Sequence, residues 1–454
     1  MAAVAVDLNR VVSAIDNRTP RGIAAAVNRM IRDGRLVPGD RLPTVRDLAA
    51  ELGVSPATVS EAWQALGGAG AVTARGRAGT FVRAVVEPGR PRRYLGVGGA
   101  PSGQEQTAPF LDLSTGTPDP VLLPSLTEAL ARVTDRQVPW TTSYLDDPVL
   151  PELREFLTQS WPYAPQRLTV VDGALDALAR VVDVVVRLGD RVVVEDPGFP
   201  ALLDLLERAG AEVVPVSLDE QGADVSSLRA ALGTNPVAVF LQPRAHNPTG
   251  TSMTRLRASE LSEVLAAHRA WIIEDDHSGD IAVADDVSVG AFLPDRTVHI
   301  RSYSKSHGPD LRMAAVGGPG DVLEPVMARR MLGSGWTSRI LQAVVLDLLT
   351  DSDATATVAA ARERYASRSV HFREHLRDAG IHSSPGDGIN VWVEVSDEAS
   401  TLVELAAAGI RVAPGTPFQI ERSTAPAVRI TCGALPDDPA MIANVAARTA
   451  AASA

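Results

Sequence analysis

Arg301-Ser302-Tyr303-Ser304-Lys305-Ser306-His307-Gly308-Pro309-Asp310-Leu311-Arg312 contains the only lysine in 454 residues; the other 42 of the 43 basic side chains are arginines. A guanidinium stays protonated and cannot condense with a carbonyl, whereas a desolvated lysine loses its proton and forms a Schiff base. A chain that uses arginine for every electrostatic purpose and keeps one amine points to chemistry at Lys305. The plainer reading is a solvated surface lysine left over in an arginine-rich chain. The flanks weigh against it: Ser302 and Ser304 are small hydroxyl donors and Arg312 is a planar donor fork, a set suited to a phosphate.

Further segments lie on either side of this stretch. Leu168–Leu178 reads as a short strand, a glycine turn and a helix start, offering backbone N–H groups and a positive dipole end to an anion at Gly173 and Ala174. Arg191–Pro200 is an apolar strand ending in a Pro-Gly turn that presents Phe199. Val237–Pro243 is another apolar strand, followed by His246-Asn247-Pro248-Thr249-Gly250, and Trp271–His277 is a strand ending in Glu274, Asp275 and Asp276. Arg429 stands alone in the apolar run Ala427–Gly433. Each has a plain structural reading as a turn, a packing aromatic, a solvated strand end or a snorkelling arginine.

Taken in order, these segments resemble the fold-type I pyridoxal phosphate enzymes of the aspartate aminotransferase superfamily. The resemblance implies that Lys305 is a Schiff-base lysine for pyridoxal 5'-phosphate, with Phe199 stacked on the ring and Asn247 donating to its phenolic oxygen. Gly173, Ala174, Ser302, Ser304 and Arg312 would surround the phosphate, Arg429 would clamp a substrate carboxylate, and Tyr144 would reach the partner subunit's cofactor in a homodimer. Asp275, or Asp276 if the register is off by one, would face the pyridine nitrogen and keep it protonated, so that the ring can act as an electron sink. Two departures stand out. The family's tyrosine after the aspartate is His277, which can still hydrogen-bond the phenolic oxygen but titrates near neutral pH. The segment Tyr144–Val149 lacks the family's glycine.

The first eighty-odd residues read differently. Pro20–Leu36 is amphipathic at helical spacing, Leu42-Pro43-Thr44 caps a second helix through Leu52, and Ser55 with Pro56 starts a third, Ala57–Leu66. Ala71–Ala74 and Thr80–Arg83 suggest a two-stranded wing around Arg75-Gly76-Arg77-Ala78-Gly79. The whole stretch resembles a GntR-type winged helix-turn-helix. That resemblance implies a recognition helix from Pro56, with Arg46, Ser55 and Thr58 near phosphates or base edges and Arg75 and Arg77 in the minor groove. The family's usual arginine after the turn serine is Pro56 here. Residues 1–93 hold 14 arginines against 8 acidic residues, and the remainder 29 basic against 47 acidic. A basic module on an acidic body is the electrostatic footprint of a DNA binder.

These expectations give an α/β chain with residues 1–84 as the winged helix-turn-helix and a Pro/Gly/Arg-rich extended linker over 85–108. An aminotransferase-like domain follows over 109–454, with a mostly parallel sheet to about 325 and a smaller α+β part after it. No apolar run suggests a membrane span, no leader pattern begins the chain, and the single Cys432 excludes an internal disulfide, so a cytoplasmic protein is expected. The eight histidines show no metal-ligand spacing. The two halves together resemble the MocR subfamily of GntR regulators, which implies a transcriptional regulator that senses an amino-compound effector through Lys305. A working aminotransferase with a DNA-binding arm, and a repressor whose large domain is only a scaffold, remain as alternatives.

Overall fold

The computed structural model describes residues 7–68, 71–74, 76, 79–82, 91–97, 111–136, 143–421 and 425–453. They divide into two compact units, Met1–Arg90 and Pro91–Ala454.

In the first unit, helices Leu8–Val12, Pro20–Arg32, Val45–Leu52 and Pro56–Gly68 precede the antiparallel strands Val72–Ala74 and Thr80–Val82. The short first helix carries no signal read from the sequence; the other boundaries follow local chemistry. The Thr44 hydroxyl accepts the Asp47 N–H at 3.2 Å, Gly53 ends that helix at φ 66°, and the Ser55 hydroxyl accepts the Thr58 N–H at 3.2 Å. Ile23, Val27, Leu48, Leu52, Val59, Ala62 and Trp63 close one core. Each large apolar side chain buried there contributes about 1.5–3 kcal/mol. Arg46 and Ser55 remain exposed and Thr58 half-buried. Arg75 and Arg77 lie outside the described residues.

The second unit is built on an eight-stranded sheet in the order Arg167–Val171, Ala314–Gly318, Thr297–Ser302, Trp271–Asp276, Ala238–Leu241, Arg191–Asp196, Glu212–Asp219, Gly222–Ala223. Pairings are parallel from Thr297–Ser302 through Glu212–Asp219 and antiparallel at the two ends. The inner strands are apolar on both faces because helices cover both, as parallel sheets require. A second sheet runs Val391–Glu394, Ala427–Ile430, Ile410–Pro414, Leu111–Leu113.

Three expectations about organisation need correction. Leu111–Leu113, assigned by position to the large part, pairs with Ile410–Val412 of the small sheet. Past 325, the helix Arg339–Thr350 buries Val344, Val345 and Leu348 against Leu168, Val170 and Ala315 of the large sheet, so the small part begins later, near the long helix Ser352–Asp378. The segment read as an extended linker also holds a helix, Arg92–Val97. Its Arg93 and Tyr94 N–H groups donate to the Asp204 carboxylate at 3.2 and 2.9 Å, and the Arg93 guanidinium donates to the Gln419 carbonyl at 2.7 Å. A carboxylate opposite the first N–H groups fixes a helix too short to persist alone. No helix among the described residues is long and apolar enough to cross a membrane.

Candidate functional site

The carboxyl ends of the parallel strands open onto a cavity of about 330 Å³, the position where open α/β sheets bind ligands. Its walls include Ala174, Phe199, Asn247, Asp275, His277, Ser302, Ser304, Lys305, Arg312 and Arg429. These residues span more than 250 positions of sequence.

Lys305 sits in the turn after the strand Thr297–Ser302, and its ammonium donates to the Gly116 carbonyl. Burial, reinforced by the Arg429 charge, pulls this amine down to about 8, so a much larger share is neutral at physiological pH than for an ordinary lysine. Asp275 is buried at a strand end. Its Oδ2 accepts from Gln242 Nε2 at 3.3 Å while Oδ1 has no partner, and burial with the adjacent Asp276 charge pushes the carboxyl up to about 7. Asp276 faces the other way, as strand alternation demands. Arg244 grips it at 2.5 Å, and against the cost of burial that pairing holds it at about 2. Of the two carboxylates, Asp275 is the one lining the cavity.

The anion end of the cavity collects the start of the helix Ala174–Val185, Ser302, Ser304 and Arg312. Gly173 has φ 104°, and a Cβ there would stand 3.1 Å from the Arg312 guanidinium, so glycine is what lets that arginine approach. Arg312 itself donates to the Asp172 carbonyl at 3.1 Å. Arg429 is 3 % exposed, yet among the described residues no carboxylate pairs with it: it donates to Asn247 Oδ1 at 3.2 Å and to the Ser114 carbonyl, and its Nε is unpartnered. Burial lowers it to about 10. A buried guanidinium satisfied only by neutral oxygens is a ready receptor for a carboxylate. His277 lines the same cavity with Nδ1 unpartnered; burial, then the Lys305 charge, lowers it to about 4, so it is neutral at pH 7 rather than titrating there.

Tyr144 does not line the cavity; its ring is exposed against Trp336, 5.7 Å between centroids. Several lining or supporting residues went unread in the sequence. Gln242 braces both Asp275 and the Asn247 N–H, the latter at 2.7 Å, and a polar residue closing the apolar run Val237–Leu241 was the available signal. Gly116 offers the carbonyl to Lys305, and Tyr94 reaches the cavity from the short helix Arg92–Val97, its ring edge-on to Phe199 at 6.4 Å. Nothing local marked either one. Asp276, Asp286 and His299 bring ligand atoms within 4.8 Å of one another, a grouping that histidine spacing did not show. Arg244 and Arg301 already supply positive charge to those carboxylates.

Residues 19–82 match the family of bacterial regulatory proteins of the gntR type, and residues 108–448 match aminotransferase class I and II. Over 388 residues, 76% of this chain and 75% of the relative, the chain is 28% identical to the probable rhizopine catabolism regulatory protein MocR of Rhizobium meliloti. The chain belongs to the MocR-type GntR regulators. This MocR-type regulator is also 35% identical over 429 residues to the vitamin B6 salvage pathway transcriptional repressor PtsJ of Salmonella typhimurium, covering 93% of this chain and 96% of PtsJ. Its fold is that of the α-aminoadipate aminotransferase LysN of Thermus thermophilus, with a TM-score of 0.67 at 21% identity over 76% of this chain and 92% of that one. The MocR-type chain is thus a transcriptional regulator joining a GntR-type DNA-binding domain to an aminotransferase-like domain.

Proposed function

We propose that this regulator binds pyridoxal 5'-phosphate in the cavity and uses Lys305 to sense an amino compound. The observation that carries the reading is the coincidence, in one cavity, of the chain's only lysine, the unpartnered Oδ1 of Asp275 and a buried Arg429 that no carboxylate pairs with among the described residues. The residues fit the group. Asp275 Oδ1 would take the pyridine N–H, Asn247 and His277 the phenolic oxygen, Phe199 the ring face, and Ala174, Ser302, Ser304 and Arg312 the phosphate. When bound, pyridoxal 5'-phosphate supplies an aldehyde for which Lys305 and an effector's amine compete. Arg429 would hold the effector's carboxylate, and Gly116 would hold the lysine amine once freed. Asp275 would keep a proton at the ring nitrogen, and Tyr94 lines the cavity beside Phe199.

In this reading the protein acts as a cytoplasmic homodimer in which Tyr144 reaches the partner's cofactor. The helix Pro56–Gly68 with Arg46, Ser55 and Thr58 reads the major groove, and Arg75 and Arg77 reach the minor groove. Occupancy alters DNA binding only if the effector prefers one of two conformations. The test is a titration of the cofactor-loaded protein with amino compounds, following the visible absorbance and operator binding together. A spectral change without any change in DNA affinity, accompanied by amino transfer to a keto acid at about 1 per second or faster, would establish the enzyme instead.

A second reading has support from PtsJ, whose name ties it to vitamin B6 salvage. Here the cofactor itself is the signal, and pyridoxal 5'-phosphate alone would change operator affinity with no amino compound present.

A further inference from the structure

A second cavity, of about 240 Å³, lies behind the Lys305 turn. Phe156, Leu349, Val358 and Ala359 give it apolar walls, and Tyr303, His307, Asp280, Arg301 and Arg362 its polar ones. The turn is a partition. Ser302, Ser304 and Lys305 line the first cavity, while Arg301, Tyr303 and His307 line the second.

The charges here are unevenly settled. Arg301 is spoken for, bonded to Asp286 at 2.7 Å and lying over the Trp161 ring at 4.9 Å. Neither the Arg362 nor the Asp280 side chain makes an ion pair or hydrogen bond among the described residues, although the Asp280 charge is felt by Arg244 and His307. The Tyr303 hydroxyl is 2 %-exposed tyrosine buried without a partner. Opposite charges without a hydrogen-bonded partner around an apolar pocket, with a spare hydroxyl, suit a small zwitterion with an apolar body. The half-buried guanidinium takes a carboxylate, better there than in open water, and the carboxylate of Asp280, itself exposed, takes an ammonium.

We propose that this cavity is a second ligand site, for an apolar α-amino acid or its N-alkylated form. Its occupant would press on the segment that holds Lys305 without entering the first cavity. The inference stands on this cavity alone and holds whether or not the functional reading above does.

The probe is the N,N,N-trimethyl betaine of phenylalanine, whose quaternary nitrogen cannot condense with an aldehyde, titrated calorimetrically into the full-length protein with and without added pyridoxal 5'-phosphate. Saturable binding with a Kd of about 1 mM or tighter is expected. Arg362→Ala and Asp280→Asn should each weaken it about tenfold or more, phenethylamine and phenylacetate should bind more weakly than the betaine, and Arg429→Met should leave it unchanged. Ala359→Trp, placed to fill the cavity, should abolish binding. Tyr303→Phe, which keeps the ring, serves as the milder variant should that one misfold. Absence of saturable binding overturns the proposal, including the case in which a second copy of the chain covers the cavity. So does binding lost in Arg429→Met but retained in Arg362→Ala and Asp280→Asn, which would put the betaine in the first cavity.

Discussion

The two units of this regulator arrange their proposed site residues in opposite ways. In the first, Arg46, Ser55 and Thr58 lie within thirteen positions of one another on short helices, on the surface or close to it. In the second, the cavity gathers side chains from Tyr94 to Arg429, most of them withdrawn from water. The contrast fits what each is proposed to hold. A DNA backbone is met by charge in solvent, where a loose and local arrangement suffices, whereas discriminating a small molecule needs polar groups fixed and desolvated, which takes a sheet to hold them. Mutations in the second unit should therefore give large, selective losses of response, and mutations in the first graded losses of affinity or stability.

The largest effect is expected at Lys305. Lys305→Arg keeps charge and most of the volume but cannot condense with an aldehyde. It should abolish the visible absorbance of attached cofactor and every response to amino compounds, while operator binding by the unmodified first unit persists in a gel-shift titration. Loss of DNA binding as well would mean that the units are not separable in the way the contrast requires.

Arg429→Met comes next. Removing a charge-assisted, buried carboxylate receptor should raise the concentration of carboxylate-bearing effector needed for half-response by about 10–100-fold, equivalent to about 1.5–3 kcal/mol, with amines lacking a carboxylate little affected. Equal losses for both ligand types would indicate a structural rather than a recognition role. Cofactor capture should also depend on pH through Lys305. The neutral amine is the reacting form, and with the group lowered to about 8, the capture rate should rise about tenfold per unit as pH increases below 8 and level off above it. A rise continuing to pH 10 in a stopped-flow series would show the amine to be unperturbed.

How legible these features were in the sequence follows the same contrast. The helix boundaries of the first unit were close to readable because Thr44, Gly53, Ser55 and Pro56 act on their immediate neighbours; the helix Leu8–Val12 was not. In the second unit, the lysine stretch and the strand-end motifs could be read since each is contiguous, and strand alternation, visible only once the register of Trp271–Asp276 was set, separated Asp275 from Asp276. Tyr94 and Gly116 could not have been found. Tyr94 sits in a stretch whose composition suggests a linker, and Gly116 contributes a carbonyl, which every residue has. Leu111–Leu113 joins the small sheet across about 300 positions, a pairing for which local pattern carries no information.

In the first unit, Arg75→Ala and Arg77→Ala should each reduce the slope of log affinity against log salt by about 0.9 if each neutralises one phosphate. The corresponding affinity losses are modest at physiological salt and indifferent to effector. Unchanged slopes in both variants would remove the wing from the DNA contact and leave the helix from Pro56 as the sole reader.

The smallest expected effect tests the independence of the units most directly. Ser55 caps the helix Pro56–Gly68, its hydroxyl accepting the Thr58 N–H at 3.2 Å and lying 2.9 Å from the Thr58 hydroxyl. Because Ser55 is exposed, Ser55→Ala opens no cavity, and the loss is that of a cap, about 1 kcal/mol. In a unit of this size that lowers the midpoint of thermal unfolding by about 4–8 °C. The two units have separate cores, so calorimetry on the full chain should show the transition of the first unit moving down while that of the second, followed by the visible cofactor band, stays in place. If both move together, the units unfold as one cooperative body, and a ligand bound near Lys305 would stabilise the DNA-binding helices directly.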